Sequence, residues 1–267
     1  WVDLDPRSSV WTPVTWQVPT EAYHMLGKHH QELKEASHLR AAYPDLLISL
    51  SLELTALAAL DRVDLIGQEL DQGIRLAPQP GWWTFGSVSA NTALELRAHG
   101  DSTSAARVMQ RAVAWYRERA TAPGATRLDR YGLARTLYWA RQWPEADQWF
   151  TRLLAEAPSD PDYLGYSGVT AAREGDRLKA KRISEKLAAN ARPYRLFGHP
   201  TLWRARIAAL TGEPDSAVSL LRKAISEGLL PLDVTQGFGY AMWLHRDIDF
   251  EGLRSYRPFT EILASNQ

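Results

Sequence analysis

Cysteine is absent from the 267 residues of this sequence. Without it the chain can form no disulfide, thiolate metal site or cysteine nucleophile, although the absence does not fix the cellular compartment. An excess of charge of one sign is also missing, because 31 lysines and arginines balance 31 aspartates and glutamates. A chain without net charge has no overall field that draws in nucleic acid or an acidic membrane surface. We therefore predict no nucleic-acid partner.

Long hydrophobic runs are lacking as well. The most apolar stretch, from Leu46 to Leu60, is interrupted by two serines, Glu53 and Thr55, whereas a membrane-spanning helix needs about 18 or more apolar residues in succession. The sequence therefore predicts no direct membrane span. It begins at Trp1 without a basic and apolar leader, which indicates a processed protein or an excised piece of a longer one. A bacterial source is compatible with these features, and the choice between a cytoplasmic and an extracytoplasmic location stays open.

What the sequence does contain is a repeated interval. Pro44 and Pro78 each close an apolar, helix-like stretch and lie 34 residues apart (78 − 44). Ala146 and Ala180 occupy matching places in two later segments and are again 34 residues apart (180 − 146). A period of 34 with alanine, a bulky residue and proline at set places is the signature of tetratricopeptide repeats. The chain resembles that family, and the resemblance implies antiparallel helix pairs that bind other proteins.

Six short turns separate the helix-like segments, and glycine occupies four of them. Glycine suits such a turn because a helix that ends in a left-handed residue needs no Cβ there. Five positions after most turns a small residue allows the two helices of a pair to approach closely, and a bulky apolar residue follows one helical turn later. The turn residues are Gly27, Asp61, Gly100, Arg141, Gly175 and Gly212, the small residues are Ala105, Ala146, Ala180 and Ala217, and the bulky residues include Met109, Phe150 and Leu221.

These signals predict an all-α fold. We expect a right-handed superhelical solenoid of about six tetratricopeptide-like helix pairs over residues 20–230, and a C-terminal helical cap over residues 231–267. Residues 1–19 carry three tryptophans among three prolines, which favours an extended aromatic arm. The tail from His245 to Arg254 resembles tails that close repeat regions of bacterial regulators and serine/threonine kinases.

No catalytic motif stands out, and we predict that the chain is not an enzyme. The glycines at positions 81 and 86 lack the lysine of a phosphate-binding loop. Ser167 has no following glycine at the required place for a nucleophile elbow, and no nearby aspartate and histidine complete a triad. The sequence therefore predicts no cofactor.

Two groups of residues are candidate metal ligands. His24, His29, His30 and His38 crowd the first helix pair, and His24 and His38 could face each other across it, but their spacing implies no carboxylate or fourth ligand. The segment from Asp247 through Asp249 and Glu251 to Gly252 matches the first half of a calcium loop, yet its twelfth place is Pro258. Packed or solvated histidines and a capped turn are favoured, so we predict no metal.

The resemblance implies a partner-binding surface on the first helices of the pairs, which line the concave face in that family. Aromatic rings beside guanidinium groups suit a peptide groove, because they offer large contact area and pair with carboxylates. We therefore predict a noncatalytic scaffold or sensor domain that binds a protein or peptide. The predicted contact residues are Tyr131, Arg135, Tyr138, Trp139, Arg173 and Arg206, although Tyr138 and Trp139 also fit a core position.

Self-assembly is the alternative function. Aromatic residues near both ends of the sequence could stack one chain on another into oligomers or filaments, since head-to-tail contacts need not close. A strictly monomeric mass for the intact chain would exclude this hypothesis. The residues concerned are Trp1, Trp11 and Trp16 at one end and Phe250, Tyr256 and Phe259 at the other.

Overall fold

The computed structural model describes residues 13–79, 83–189, 198–229 and 244–264. These residues are helical or lie in short connections, and they contain no strand. The helices are α1 (Pro13–Met25), α2 (His29–Ala42), α3 (Leu47–Ala59), α4 (Val63–Gly73), α5 (Phe85–Ala98), α6 (Ser102–Thr121), α7 (Arg127–Trp139), α8 (Trp143–Glu156), α9 (Pro161–Arg173), α10 (Arg177–Ala189), α11 (His199–Leu210), α12 (Pro214–Ser226), a 3-10 helix (Ile248–Leu253) and α13 (Arg257–Ala264).

Helices α1 to α12 follow one another as six pairs in the described part of the chain, each with a short internal turn. All six predicted turn residues have a positive φ, from 54° at Asp61 to 101° at Gly100. The left-handed conformation ends the first helix and reverses the chain, as the glycine pattern predicted. The prediction of an all-α fold built from tetratricopeptide-like helix pairs is thus confirmed by the backbone itself.

Asp61 occupies a left-handed position without being glycine, and this suggests a stabilising substitution. We expect Asp61→Gly to raise the free energy of unfolding by about 0.5–1 kcal/mol, because a Cβ in this conformation costs about 1–2 kcal/mol and the greater freedom of the unfolded glycine returns part of the gain. Chemical denaturation measures the difference. Asp64→Gly, three residues later in the first turn of α4, is the control and should destabilise. A loss of stability in both variants would contradict the assignment.

The small residues predicted in the second helices lie in the core. Ala105, Ala146, Ala180 and Ala217 are each fully buried, and the bulky Phe150 one turn later is buried as well. These alanines let the second helix of each pair lie close to its neighbours, while the larger side chain fills the space beside it. At these positions the sequence pattern therefore reflects the close packing of helices in the core.

The chain divides into two compact units. Unit 1 comprises Trp1–Trp115 with Pro231–Arg246 and the last residue, and unit 2 comprises Tyr116–Leu230 with Asp247–Asn266. The division falls within α6, and the C-terminal segment contributes to both units. The boundaries of the predicted domains, 1–19, 20–230 and 231–267, remain predictions.

The predicted N-terminal arm differs from the structure over its last part. Helix α1 begins at Pro13 and continues through Pro19, so residues 13–19 are helical and not extended. Pro13 is well tolerated in the first turn because the N–H it lacks would have no partner inside the helix. Pro19 lies inside the helix, where it removes one backbone hydrogen bond. Trp1 and Trp11 lie outside the described residues, and the side chain of Trp16 is not described.

Unit 2 is held together by an aromatic ladder between successive pairs. The ring of Tyr166 on α9 stacks on Phe150 of α8 at 4.7 Å with an interplanar angle of 5°, and contacts Trp203 of α11 at 4.5 Å. Trp203 can lie this close to α9 because position 165 is a glycine. A Cβ there would come within 2.0 Å of the Trp203 ring. The ladder thus fixes the spacing of α8, α9 and α11.

Candidate functional site

A cluster of charged and phenolic side chains joins the C-terminal tail to the first helices of unit 2. The tail contributes Asp247 and Asp249. Asp247 caps the 3-10 helix by accepting a hydrogen bond from the backbone N–H of Asp249 at 2.9 Å. Tyr138, Arg173 and Arg206 come from the first helices α7, α9 and α11. We call these five residues the tail site.

Asp249 is the centre of the tail site. Its Oδ1 accepts hydrogen bonds from the Tyr138 hydroxyl at 2.5 Å and from Nη2 of Arg173 at 3.1 Å. Arg173 also donates to the backbone carbonyl of Ile248 at 2.7 Å. Arg206 holds Oδ2 of Asp247 through Nε at 3.0 Å and Nη2 at 2.9 Å. The two arginines therefore bind both the side chains and the backbone of the tail.

The tail site is largely buried. Burial and the charge of Asp247 raise the pKa of Asp249 above its usual value, while Arg173 and Arg206 counteract the rise. The pKa of Tyr138 lies well above its usual value, mainly because the side chain is buried and secondly because Asp249 is negatively charged. The phenol therefore remains a hydrogen-bond donor. Burial alone would lower the pKa of Arg206, but the carboxylates of Asp247 and Asp249 raise it above its ordinary value. Charge-assisted hydrogen bonds of this kind are stronger than neutral ones.

A further ion pair extends the contact between tail and helix pairs. Arg141, the left-handed turn residue of the fourth pair, donates to Glu251 of the 3-10 helix at 2.7 Å. The acidic residues at positions 247, 249 and 251 are thus each paired with arginine. The calcium-loop resemblance reflects a capped turn whose carboxylates bind guanidinium groups, in line with the interpretation that the sequence favoured.

The predicted groove residues of α7 do not form an open surface. Tyr131, Arg135 and Trp139 are 7%, 8% and 8% exposed, and Tyr138 is fully buried. The Arg135 guanidinium lies over the rings of Tyr131 and Trp139, at 5.2 and 4.6 Å. Aromatic side chains of α9 pack against the same helix, with the Tyr163 ring 5.2 Å from that of Tyr131. The burial of Tyr138 and Trp139 agrees with the alternative that they occupy core positions, and a partner groove on α7 remains a prediction.

Arg173 and Arg206, the other two predicted contact residues, do bind carboxylates. Those carboxylates belong to the tail of the same chain. Contact of these two arginines with a partner protein remains a prediction.

The carboxy-terminal residues proposed for self-assembly lie mostly inside unit 2. Phe250 and Phe259 are 1% and 0% exposed, and their ring centroids lie 5.4 Å apart. Tyr256 is half-buried, and its hydroxyl donates to Asp215. Buried rings cannot form an adhesive surface in the folded chain, so the expectation for Phe250 and Phe259 is corrected.

Unit 1 contains a second cluster, of histidines and carboxylates. His24 at the end of α1 contacts Glu32 of α2 through Nδ1 at 2.9 Å and Glu95 of α5 through Nε2 at 3.2 Å. His99 and His245 contact the same Oε1 atom of Glu95 at 3.1 and 2.8 Å. We call these five residues the histidine cluster.

Two residues flank the histidine cluster. His29 contacts Glu32 through Nδ1 at 2.9 Å, and Arg246 contacts Oε2 of Glu95 at 3.2 Å. Both carboxylates are buried, with Glu95 fully enclosed. Burial alone would raise the pKa of Glu95, but His245, His24 and His99 hold it well below its usual value. Burial alone would lower the pKa of His24, whereas Glu32 and Glu95 raise it to about 10.

One feature of the sequence indicates a polar cluster in the first helix pair. Glu32 stands five residues after Gly27, the place that alanine fills in four other pairs, and it is nevertheless buried. The predicted opposition of His24 and His38 is wrong, because His38 is mainly exposed and lies 3.9 Å from Glu35.

No protein-family model and no curated protein matches the sequence. Solved structures with a similar fold include two that cover most of the chain. A tetratricopeptide repeat protein from Parabacteroides merdae is 14% identical, with a TM-score of 0.49, over 91% of this chain and 86% of that one. PilW, a widely conserved type IV pilus biogenesis factor, is 13% identical, with a TM-score of 0.45, over 97% of this chain and 99% of that one.

By the evidence of its turns and buried alanines, the chain is a tetratricopeptide-like helical repeat domain. None of its helices in the described ranges has the length and apolar character that crossing a membrane requires.

Proposed function

We propose that the chain is a noncatalytic protein-binding scaffold whose unit 2 recognises an acidic segment of a partner protein. The observation that carries the proposal is the tail site, where first helices hold an acidic segment through Arg173, Arg206 and Tyr138. The tail of the chain itself occupies this surface. A partner segment therefore competes with the tail for the same groups.

The contacts have the character of peptide recognition. Arg173 donates to the backbone carbonyl of Ile248, the first residue of the 3-10 helix, and to the side-chain carboxylate of Asp249. It therefore contacts both the backbone and a side chain of the tail. Arg206 places two nitrogens near one oxygen of Asp247. Guanidinium groups clustered in this way are a recurring means of binding acidic motifs.

Apolar side chains between the carboxylates define the segment further. Ile248 and Phe250 alternate with Asp247 and Asp249, and both are nearly fully buried. A partner with the same character has two aspartates separated by one aliphatic residue and followed by an aromatic one. Buried aromatic anchors contribute more binding energy than polar contacts at the rim.

The covalent connection gives the tail an advantage over any partner. A tethered segment acts at an effective concentration on the order of millimolar. A free peptide of the same sequence therefore binds weakly while the tail is in place. Substitutions that weaken the contacts between the tail and Arg173 or Arg206 should therefore make the surface available to a partner.

The test uses the full chain with Asp247→Asn and Asp249→Asn, which remove the charges but keep the size of the tail side chains. A labelled peptide of residues 244–256 with its aspartates intact should bind this variant and raise its melting temperature. Arg173→Gln added to the variant should weaken peptide binding about tenfold or more, because charged hydrogen bonds contribute about 1.5–3 kcal/mol.

Arg182→Gln is the matched control, since Arg182 is exposed on the second helix α10. It should leave peptide affinity unchanged. If the variant with the weakened tail does not bind the peptide, or if both arginine substitutions act equally, the tail is a permanent part of the fold and the proposal fails.

A further inference from the structure

Three histidines of unit 1 converge on a single carboxylate oxygen. The Nε2 atoms of His24, His99 and His245 lie 3.2, 3.1 and 2.8 Å from Oε1 of Glu95. These four donor atoms all lie within 4.8 Å of one another. We propose that they bind one divalent transition-metal ion, and that Zn²⁺ suits the site best. This inference is independent of the proposed binding function of unit 2.

The distances agree with a small coordination sphere. Zinc binds histidine nitrogen at about 2.0–2.1 Å and carboxylate oxygen at about 2.0–2.2 Å, so donors at the corners of a tetrahedron around it lie about 3.3 Å apart. The separations from Glu95 are slightly shorter than this value. Small outward movements of the three rings therefore make room for an ion between the donors.

Hydrogen bonds alone do not account well for the number of groups around Oε1 of Glu95. One carboxylate oxygen has about two lone-pair positions, yet three ring nitrogens approach Oε1 of Glu95, and Arg246 takes the other oxygen. A central ion replaces these three competing contacts with one bond from each donor. The ion displaces the proton from Nε2 of each ring, and the neutral imidazole then uses its lone pair at Nε2, as metal binding requires.

A second layer of contacts orients the donors. Glu32 accepts a hydrogen bond from Nδ1 of His24, which leaves Nε2 of that ring as the metal-binding nitrogen. Arg246 at 3.2 Å from Oε2 of Glu95 favours binding of the metal through Oε1 alone. Carboxylates behind metal-bound histidines are typical of metal sites and strengthen them.

The donors also indicate the class of metal and its role. Three imidazoles and one carboxylate suit Zn²⁺ and neighbouring transition metals, whereas Ca²⁺ and Mg²⁺ prefer oxygen ligands alone. Four protein ligands fill a tetrahedral site, which is characteristic of structural zinc. His99 and His245 have side chains 30% and 27% exposed, which leaves a route for the ion. The ion would join α1, the end of α5 and the 244–246 segment.

The experiment measures metal binding by the full chain without an affinity tag, after treatment with a chelator. Isothermal titration with zinc chloride should show one ion per chain. Free zinc at about a hundredfold excess over its dissociation constant should raise the melting temperature by roughly 5–10 °C. Co²⁺ in place of zinc should give the intense visible absorption of a tetrahedral ion.

Variants locate the site. His99→Ala and His245→Ala remove partly exposed ligands and should each weaken zinc binding at least tenfold, as expected for the loss of a direct ligand. The controls His30→Ala and His38→Ala change exposed histidines on α2 and should not alter it. The proposal is overturned if the wild-type chain binds no zinc or gives no tetrahedral cobalt spectrum. It is also overturned if the α2 controls, and not the ligand variants, abolish binding. The cluster would then be hydrogen-bonded only.

Discussion

Replacing Asp249 with alanine should lower the free energy of unfolding by about 3–5 kcal/mol, the range observed when one partner of a buried ion pair is removed. Asp249 is 4% exposed, and its side chain contacts Tyr138 and Arg173. Its loss leaves the buried Tyr138 hydroxyl without this acceptor and the Arg173 guanidinium without its carboxylate. Chemical denaturation followed by circular dichroism measures the effect.

The control for this prediction is an aspartate in a more exposed pair. Asp147 lies 3.1 Å from Lys179, which is 39% exposed, and Asp147→Ala should cost no more than about 1 kcal/mol because water screens such a pair. Equal losses in the two variants would show that the tail site contributes no more than an ordinary surface contact.

Gly165→Ala should lower the free energy of unfolding by about 1–3 kcal/mol, as is usual when a packed core receives an extra carbon. The added Cβ would lie 2.0 Å from the Trp203 ring, which is itself buried and in contact with Tyr166. The ring or the helix must shift, and the aromatic ladder of unit 2 loosens. Thermal and chemical denaturation both report the change.

Gly67→Ala provides the comparison, because it makes the same chemical change inside helix α4 with no atom within 4 Å of the new Cβ. Alanine is a better helix former than glycine by about 0.8–1.0 kcal/mol, so this variant should be more stable than the wild type. A stabilising effect of alanine at position 165 as well would contradict the close packing of α9 against α11.

The sequence predicted those parts of the fold that local chemistry determines. A left-handed turn needs a glycine or a tolerant residue, and a close helix contact needs a small one, so Gly175 and Ala180 could be assigned from their positions alone. The pattern even extended to Asp61 and Arg141, which adopt the same conformation as the glycines. Such features depend on residues near one another in the chain.

The two candidate sites depend on residues far apart in sequence. His245 reaches Glu95 across 150 positions, and Asp249 reaches Tyr138 across 111. No local sequence pattern predicts these contacts, because they arise when the tail packs against helices that lie more than 100 residues before it in the sequence. The guanidinium group of Arg173 indicates a carboxylate partner by its chemistry alone, and in the folded chain it binds Asp249. The position of the carboxylate was not predictable.

The most direct test of the account compares the affinity of one peptide for two forms of the full chain. The peptide of residues 244–256 should bind the chain with Asp247→Asn and Asp249→Asn at least tenfold more tightly than it binds the wild type, because the tail of the wild type competes at high effective concentration. Equal affinity for the two chains would contradict the claim that the tail occupies a protein-binding surface.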